Sequence, residues 1–151
     1  MNAKFLGSKD KKHYFEKLNS QFGVEKLPWM LIETGKEKVR AFSGDMTRED
    51  VMKIAAVANI ELIGMYLFKE ELGGMRFGFD GAMMVSDKIN KNVIEINDEQ
   101  ANDWLQGKNL GIKLEKGVYA VKHADDFLGC GMSDGQVLIN FVPKERRMRS
   151  K

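Results

Sequence analysis

Two segments in the first half of the chain place apolar residues at helical spacing. The first, residues 8–21, has an apolar stripe under a lysine-rich face and lies between Ser8, a favoured N-cap residue, and Gly23, a favoured residue just past a helix end. The second begins at Thr47, and Asp50 follows in the spacing of a capping box, with Asp in place of Glu. The pattern predicts two amphipathic helices in this half.

Strand-like runs occur in pairs that flank glycine-containing loops. Residues 29–34 and 38–43 lie either side of a short polar loop with one glycine, and residues 60–68 and 75–79 lie either side of the Gly-Gly pair at 73–74. Glycine accepts the positive φ angles that tight turns need. Each pair is therefore predicted to form a β-hairpin.

The second half of the chain has the pattern of a strand, a short helix and three more strands. Residues 93–96 are strand-like, residues 98–106 form a helical segment that starts with acidic residues, and Gly107 follows as a helix-ending residue. Three strand-like runs then lead to a basic segment at 142–149. Because short helices are mixed with hairpins and no alternating βαβ units occur, the predicted fold class is α+β and not a doubly wound sheet.

The polar, turn-prone segment 87–92 separates the two halves. We predict an N-terminal α+β domain with hairpins at residues 1–89 and a second, small domain at residues 90–151. A chain of 151 residues can hold one ordinary domain or two small ones, because folding at this length buries roughly two-thirds of the unfolded surface.

Composition restricts the class of protein more than its function. Hydrophobic residues make up 43% of the chain and charged residues 30%, as in soluble globular proteins. The single cysteine, Cys130, cannot form an internal disulfide, so we expect a reducing compartment and a cytoplasmic location. The first residues lack the apolar run of a secretory signal, and the most apolar stretch, 54–68, is too short and too polar to span a bilayer, so no membrane segment is expected.

Basic residues are concentrated at the two ends of the chain. The first 26 residues hold six lysines against three acids, and the last eight hold five basic residues against one acid, although the net charge is only +2. The middle of the chain is mildly negative. A basic chain end is common in proteins that bind polyanions, but in other proteins a basic tail only increases solubility. The charge pattern leaves both interpretations open.

The segment from Val93 onward resembles a PUA domain. The resemblance rests on a strand before Asn97, the helix-end glycine turn at 105–110, and the Leu-Gly-x-Gly pattern at 128–131. PUA domains are small pseudo-barrels found in RNA-modifying enzymes and ribosome-assembly factors. The resemblance therefore implies a PUA-like pseudo-barrel at the C-terminal end and RNA as the partner.

Two kinds of relative are suggested by further segments. Residues 51–60, 62–64 and 75–77 are similar to the small two-domain ribosome-biogenesis proteins of the Nip-seven group, in which an α/β domain precedes a PUA domain. Residues 140–147 are similar to PUA-like tail domains of RNA cytosine-C5 methyltransferases. Both resemblances imply a role with rRNA or tRNA.

The turn after the second-half helix is the predicted recognition site. Gly107 can take the left-handed conformation that ends a helix, which leaves Lys108 and Asn109 projecting at one point together with backbone amides. Such a group suits phosphates and unpaired bases, although Gly107 can equally serve only to end the helix. PUA turns often carry a basic residue just before the glycine, and Gln106 stands there in this chain.

Electrostatic docking of RNA is predicted to use the turn, the strands after it and the tail. The predicted RNA-binding residues are Lys108, Asn109, Lys122, Lys144, Arg146, Arg147 and Arg149. Gly107, Gly129 and Gly131 are predicted to be structural glycines. Gly129 and Gly131 are assigned to packing because a strand glycine permits the close approach of a neighbour.

The residues that catalysis or metal binding would require are sparse. A methyltransferase would need a cofactor-binding glycine loop before a helix and a nucleophilic cysteine, whereas Cys130 lies between two glycines in a strand-like run. His13 and His123 are the only histidines and have no metal-binding spacing, and the acid pair at 125–126 is typical of a solvated turn. We therefore predict no catalytic residue, no metal and no cofactor.

Three functions remain open from the sequence. The first is a non-catalytic RNA-binding protein that docks structured RNA in ribosome assembly or RNA modification. The second is a protein-interaction adaptor that recruits an RNA methyltransferase or an assembly factor and has little specific RNA binding, which the low net charge favours. The third is a small enzyme, which would need Cys130, His123 and Asp125 or Asp126 to meet in one cleft.

Overall fold

The computed structural model describes residues 3–35, 38–42, 47–57, 65–71 and 73–149. Helices and strands are mixed along these ranges, and the fold is α+β, as the sequence predicted. In chain order the elements are β1 (Ala3–Phe5), α1 (Ser8–Phe22), β2 (Met30–Thr34), β3 (Lys38–Phe42), α2 (Arg48–Val57), β4 (Met65–Glu71), β5 (Gly74–Phe77), α3 (Phe79–Met84), β6 (Val93–Glu95), α4 (Asp98–Leu105), β7 (Gly117–His123), β8 (Asp126–Ser133), β9 (Leu138–Asn140) and a short 3-10 helix (Lys144–Arg146).

Strands β1 to β5 form an antiparallel sheet in sequence order. Both predicted hairpins are present, because β2 pairs with β3 and β4 pairs with β5. In the β3–β4 register Arg40 lies opposite Tyr66, just after an irregularity in the pairing. Parts of the predicted elements, at 36–37, 43 and 58–64, lie outside the described residues. Strand β1 is an addition that the hydrophobic pattern did not predict.

The helix ends follow local hydrogen-bonding signals. Helix α1 stops where Gly23 takes a φ of 79°, as predicted, but Ser8 is its first helical residue and not its N-cap. Gly7 holds the N-cap position instead, since glycine also accepts the extended backbone found there. Before α2, Thr47 N donates to Asp50 Oδ2 and Asp50 N donates to Thr47 Oγ1, both at 3.1 Å, which is the predicted capping box. None of the described helices is both long and apolar enough to cross a membrane.

Helix α3 replaces the end of a predicted strand. The pattern predicted a strand over residues 75–79, but Phe79 begins α3 directly after Gly78, whose backbone is extended. A Cβ added at Gly81 would lie 3.0 Å from Leu67 Cα, so α3 approaches β4 this closely only because Gly81 has no side chain. The close packing of α3 on the sheet therefore overrides the local strand pattern.

Strands β6 to β9 form a second sheet, in which β6 runs parallel to β7 and the other neighbours are antiparallel. Trp104 of α4 is completely buried in the core of this part of the chain. Its Nε1 donates to Leu128 O at 2.8 Å, which satisfies the indole N–H in an apolar environment. A bridge between Leu110 and Leu138 connects the segment after α4 to β9.

A larger hydrophobic cluster contains residues of both sheets. Phe68 and Phe77 of the first sheet belong to it together with Val118, Ala120 and Phe127 of the second. Helix α3 contacts β4 and β5 on one side and β8 on the other. The two sheets are therefore packed against each other through a continuous apolar interior. The domain boundary after residue 89 stays a prediction.

Candidate nucleic-acid interface

Helix α4 is capped by hydrogen bonds at both ends, and those at its C-terminal end fix the turn that follows. At its start, Asn97 Oδ1 accepts from Gln100 N at 2.8 Å, and Gln100 Oε1 accepts from Asn97 N at 2.9 Å. At its end, Gly107 takes a φ of 88°, and Lys108 N donates to Asp103 O at 3.0 Å. A residue with a Cβ rarely adopts this φ, so Gly107 sets the direction in which the chain leaves the helix.

The side chain of Asn140 ties this turn to strand β9. Its Nδ2 donates to Trp104 O at 2.7 Å and to Lys108 O at 2.9 Å, and its Oδ1 accepts from Val142 N at 2.7 Å. The backbone N of Asn140 donates to Asn109 Oδ1 at 2.9 Å, so Asn109 uses its amide oxygen inside the fold. Sequence reasoning missed Asn140. The available signal was an asparagine inside a strand-like run, where that residue is uncommon.

The basic tail folds back over the same turn. Arg147 Nε donates to Val142 O at 3.0 Å, and the Arg147 side chain lies against Gly107. The next residue, Met148, donates its backbone N–H to Leu105 O at the end of α4, at 2.7 Å. The tail up to Met148 is thus part of the folded PUA-like segment and supplies a cation to the turn.

Two cations therefore flank the turn although Gln106 is neutral. Lys108 Nζ lies 3.5 Å from Asp103 Oδ1, and its side chain is 59% exposed. An exposed ion pair of this kind contributes at most about 1 kcal/mol, so a phosphate can compete for Lys108. Arg147 has five N–H donors, and its contact with Val142 O uses only Nε. Lys108 and Arg147 therefore each keep N–H donors beyond those that these contacts use.

Lys122 lies away from the turn, near the start of α4, and the remaining predicted cations are in the tail. Lys122 O accepts from Ile96 N at 2.9 Å, which places Lys122 beside the start of α4. The start and the end of this helix are roughly 12 Å apart at 1.5 Å per residue. Lys122 Nζ lies 5.6 Å from the centre of the Phe127 ring. Lys144 and Arg149 are exposed in the tail.

Arg146 leaves the tail in a different direction from Arg147. Its Nη2 lies 2.7 Å from Asp80 Oδ1, and its guanidinium lies 5.5 Å from the centre of the Phe79 ring in α3. Arg146 lines a cavity of about 510 Å³ between the two sheets, which we call the intersheet cavity. Other residues that define it are Lys38, Arg40, Tyr66, Arg76, Cys130 and Phe141. Sequence reasoning did not identify this cavity, because its walls come from distant parts of the chain.

Gly129 and Gly131 permit close packing around β8. Gly129 has a φ of 77°, and a Cβ added there would lie 3.5 Å from Phe79 Cα. A Cβ added at Gly131 would lie 2.6 Å from the Trp104 ring and 2.9 Å from Leu138 Cγ. Gly131 therefore leaves no space for a side chain, whereas Gly129, which also lines the intersheet cavity, is favoured as glycine by its positive φ.

The residues named for a possible enzyme do not share one site. Burial raises the pKa of the Cys130 thiol to about 12, against the opposing influence of the Phe77 backbone and Arg76, so the thiol is protonated at neutral pH. His123 Nε2 lies 2.7 Å from Asp98 Oδ1 and does not line the cavity with Cys130. Within the described ranges, no group of three or more His, Cys, Asp or Glu residues is placed to hold a metal ion.

The family comparison falls on the segment that contains the turn. Residues 91–148 match the family model described as the methyltransferase RsmF PUA domain. The matched segment contains β6 to β9, α4, the Gly107 turn and the tail as far as Met148. No curated protein matches the chain. Residues 91–148 therefore resemble a PUA domain of the kind found in the tails of RNA cytosine-C5 methyltransferases.

Proposed function

We propose that the protein is a non-catalytic RNA-binding protein that docks structured RNA, either rRNA or tRNA, through its PUA domain. The observation that carries the proposal is the glycine turn of that domain, where Lys108 and Arg147 flank Gly107. Cations beside a rigid turn, whose own backbone groups are hydrogen-bonded within the fold, are suited to phosphates of a folded RNA.

Cations outside the turn extend the proposed contact. Lys122 lies near the start of α4 and Lys144 and Arg149 are exposed in the tail, and a structured RNA, unlike a single nucleotide, is large enough to reach several of them at once. Their contacts with phosphates would orient the RNA without reading its sequence. The turn would then supply the selectivity and the dispersed cations most of the salt-dependent affinity.

The family match supports a role in RNA modification, and ribosome assembly is the second process in which we propose that such a protein acts. In such a role the chain would bring RNA to a modification enzyme or an assembly factor. The protonated Cys130 and its separation from His123 support a non-catalytic function. A chain with one cysteine is also suited to the reducing cytoplasm, where we propose that it acts.

The proposal is tested by titrating the full chain with rRNA and tRNA fragments at several salt concentrations. Lys108→Ala and Arg147→Gln are each expected to weaken binding roughly tenfold, since a charge-assisted hydrogen bond is lost. Each should also lower the slope of log affinity against log salt by about 0.7–0.9. The matched control is Lys116→Ala, which removes an exposed charge from the loop before β7 and should change the affinity less than twofold.

The adaptor function predicts a different result. There, Lys108→Ala and Arg147→Gln leave the RNA affinity unchanged, and neutralising Lys144 and Arg149 removes it, because only a charged end attracts RNA. Substitution is preferable to truncation after Pro143. Removing residues 144–151 would also delete the hydrogen bond from Met148 N to the end of α4 and disturb the fold.

A further inference from the structure

The intersheet cavity is a concave site that both sheets and the tail build together. Its volume of about 510 Å³ lies within the roughly 300–1,000 Å³ of small-molecule sites. Arg40 and Tyr66 are cross-strand partners in β3 and β4, so their side chains project on the same face. Neither Gly107 nor Lys108 lines the cavity, which is therefore separate from the turn proposed above to dock RNA.

Basic side chains outnumber acidic ones around the cavity. The charged residues that line it are Lys38, Arg40, Arg76 and Arg146, against Asp80 and Glu145. Asp80 is paired with Arg146. Arg76 Nη2 lies 3.0 Å from Glu71 Oε1, and Lys69 Nζ also approaches that oxygen at 3.4 Å, so the carboxylate is shared between two cations. The wall keeps an excess of positive charge, which favours a phosphate.

Aromatic rings lie beside these cations. The Arg76 guanidinium is 4.1 Å from the centre of the Phe141 ring, and Lys38 Nζ is 5.5 Å from the centre of the Tyr66 ring. Tyr66 Oη is buried beside Arg76 and makes no hydrogen bond of ordinary geometry among the described residues, so this hydroxyl and Arg76 together form a polar part of the cavity wall. Burial raises the pKa of Tyr66 despite the nearby Arg76, and Cys130 is protonated, so neither would repel an anion.

We propose that the intersheet cavity binds one unstacked nucleotide, its phosphate held by the cations and its base placed against the ring of Tyr66 or Phe141. Stacking on aromatic rings combined with cationic contacts to phosphate is how proteins hold unpaired RNA. For a nucleotide within RNA the inference rests on the proposed function, because the PUA turn would hold the structured part of the same molecule. A free mononucleotide has the same phosphate and base, and the experiments below distinguish binding of a free mononucleotide from binding of a nucleotide within RNA.

Binding of a nucleotide that is part of an RNA is tested with two RNA hairpins that share one stem. One hairpin is blunt, and the other has a short single-stranded overhang. The full chain is expected to bind the overhang hairpin roughly tenfold more tightly, which is the effect of stacking about one base. Lys38→Ala and Phe141→Leu should remove this gain, and Tyr66→Phe, which keeps the ring, should reduce it. Lys26→Ala, the control, removes an exposed lysine outside the cavity and should keep the gain. Lys108→Ala should weaken both hairpins equally, so failure of the PUA turn is distinguished from failure of the cavity.

Binding of a free mononucleotide is tested by titrating the protein with AMP, CMP, GMP and UMP. The backbone amide signals of the cavity residues are followed by NMR. Signal changes that Lys38→Ala abolishes support a nucleotide site even if no RNA binds. Equal affinity for the two hairpins together with unchanged cavity signals overturns the proposal. A gain for the overhang that survives both Lys38→Ala and Phe141→Leu also overturns it, because the base would then be held elsewhere.

Discussion

Arg147 lies against Gly107 so closely that a Cβ at position 107 would come 2.6 Å from Arg147 Cδ. The tail and the turn, which are distant in sequence, therefore form one surface. Two separate requirements apply at this position: the residue must accept a φ of 88°, and a Cβ would need the Arg147 side chain to shift. The two requirements can be separated by mutation.

Gly107→Ala is expected to lower the free energy of unfolding by about 1–3 kcal/mol, because a Cβ is strained at this φ and overlaps Arg147. Urea unfolding of the full chain measures the change. The matched control is Gly111→Ala, where an added Cβ meets no atom within 4 Å, and the expected change there is within about 0.5 kcal/mol.

In an Arg147→Ala background the cost of Gly107→Ala should fall, because the overlap disappears and only the backbone strain remains. The double-mutant cycle is expected to give a coupling of at least about 0.5 kcal/mol. Strict additivity of the two substitutions would contradict the contact between Arg147 and Gly107.

Asn140→Ala is expected to lower the free energy of unfolding by about 2–4 kcal/mol, since Trp104 O, Lys108 O and Val142 N all lose their partner. Asn140→Asp should be worse at neutral pH, because it sets a carboxylate oxygen against two carbonyl oxygens. Urea unfolding again reports the difference, with Asn102→Ala on the exposed side of α4 as the control. Wild-type stability for Asn140→Asp would show that Nδ2 does not donate to these carbonyls.

Glu70→Gln is expected to destabilise the protein by about 1 kcal/mol at pH 7, because Glu70 accepts hydrogen bonds from Lys17 and His13 that tie α1 to β4. Burial raises the pKa of Glu70, but the hydrogen bonds and the electrostatic attraction of Lys17 and His13 together lower it by more. A lowered folded-state pKa gives stability that is present above the ordinary glutamate value of 4.5 and is lost as the pH falls through the folded-state pKa.

The difference between wild type and Glu70→Gln should therefore shrink below about pH 4.5, which unfolding curves at a series of pH values would detect. Glu25→Gln, at an exposed acid before β2, should show no such trend. A destabilisation that stays constant down to pH 3 would mean that lost packing, and not the charge, is responsible.

Cys130 should react slowly with iodoacetamide in the native protein. A pKa of about 12 leaves on the order of one thiolate in ten thousand at pH 8, and the side chain is buried. Alkylation followed by mass spectrometry should be at least roughly a hundredfold faster in urea, where the thiol has its ordinary pKa. Cys130 is the single cysteine, so the signal reports one site. Equal rates in the two states would show that the intersheet cavity exposes the thiol to solvent.

Local signals in the sequence located most of the elements correctly. The end of α1 at Gly23 and the capping box of Thr47 and Asp50 depend on backbone angles and hydrogen bonds within a few residues, so the sequence contains all the information needed. Residue Phe79 was wrongly predicted as the end of a strand, because the helix α3 that begins there depends on close packing between Gly81 and β4.

The sequence by itself determined the α+β class, the second-half order of strand, helix and three strands, and the resemblance to a PUA domain, because hydrophobic period, caps and glycine positions are local properties. Only the tertiary structure decided where the basic tail goes. Arg147 packs on Gly107, 40 positions earlier in the segment of the second sheet, whereas Arg146 pairs with Asp80 of α3, a contact that forms only when the two sheets pack together. The tail that looks like one basic segment in the sequence therefore serves two separate surfaces, the PUA turn and the intersheet cavity.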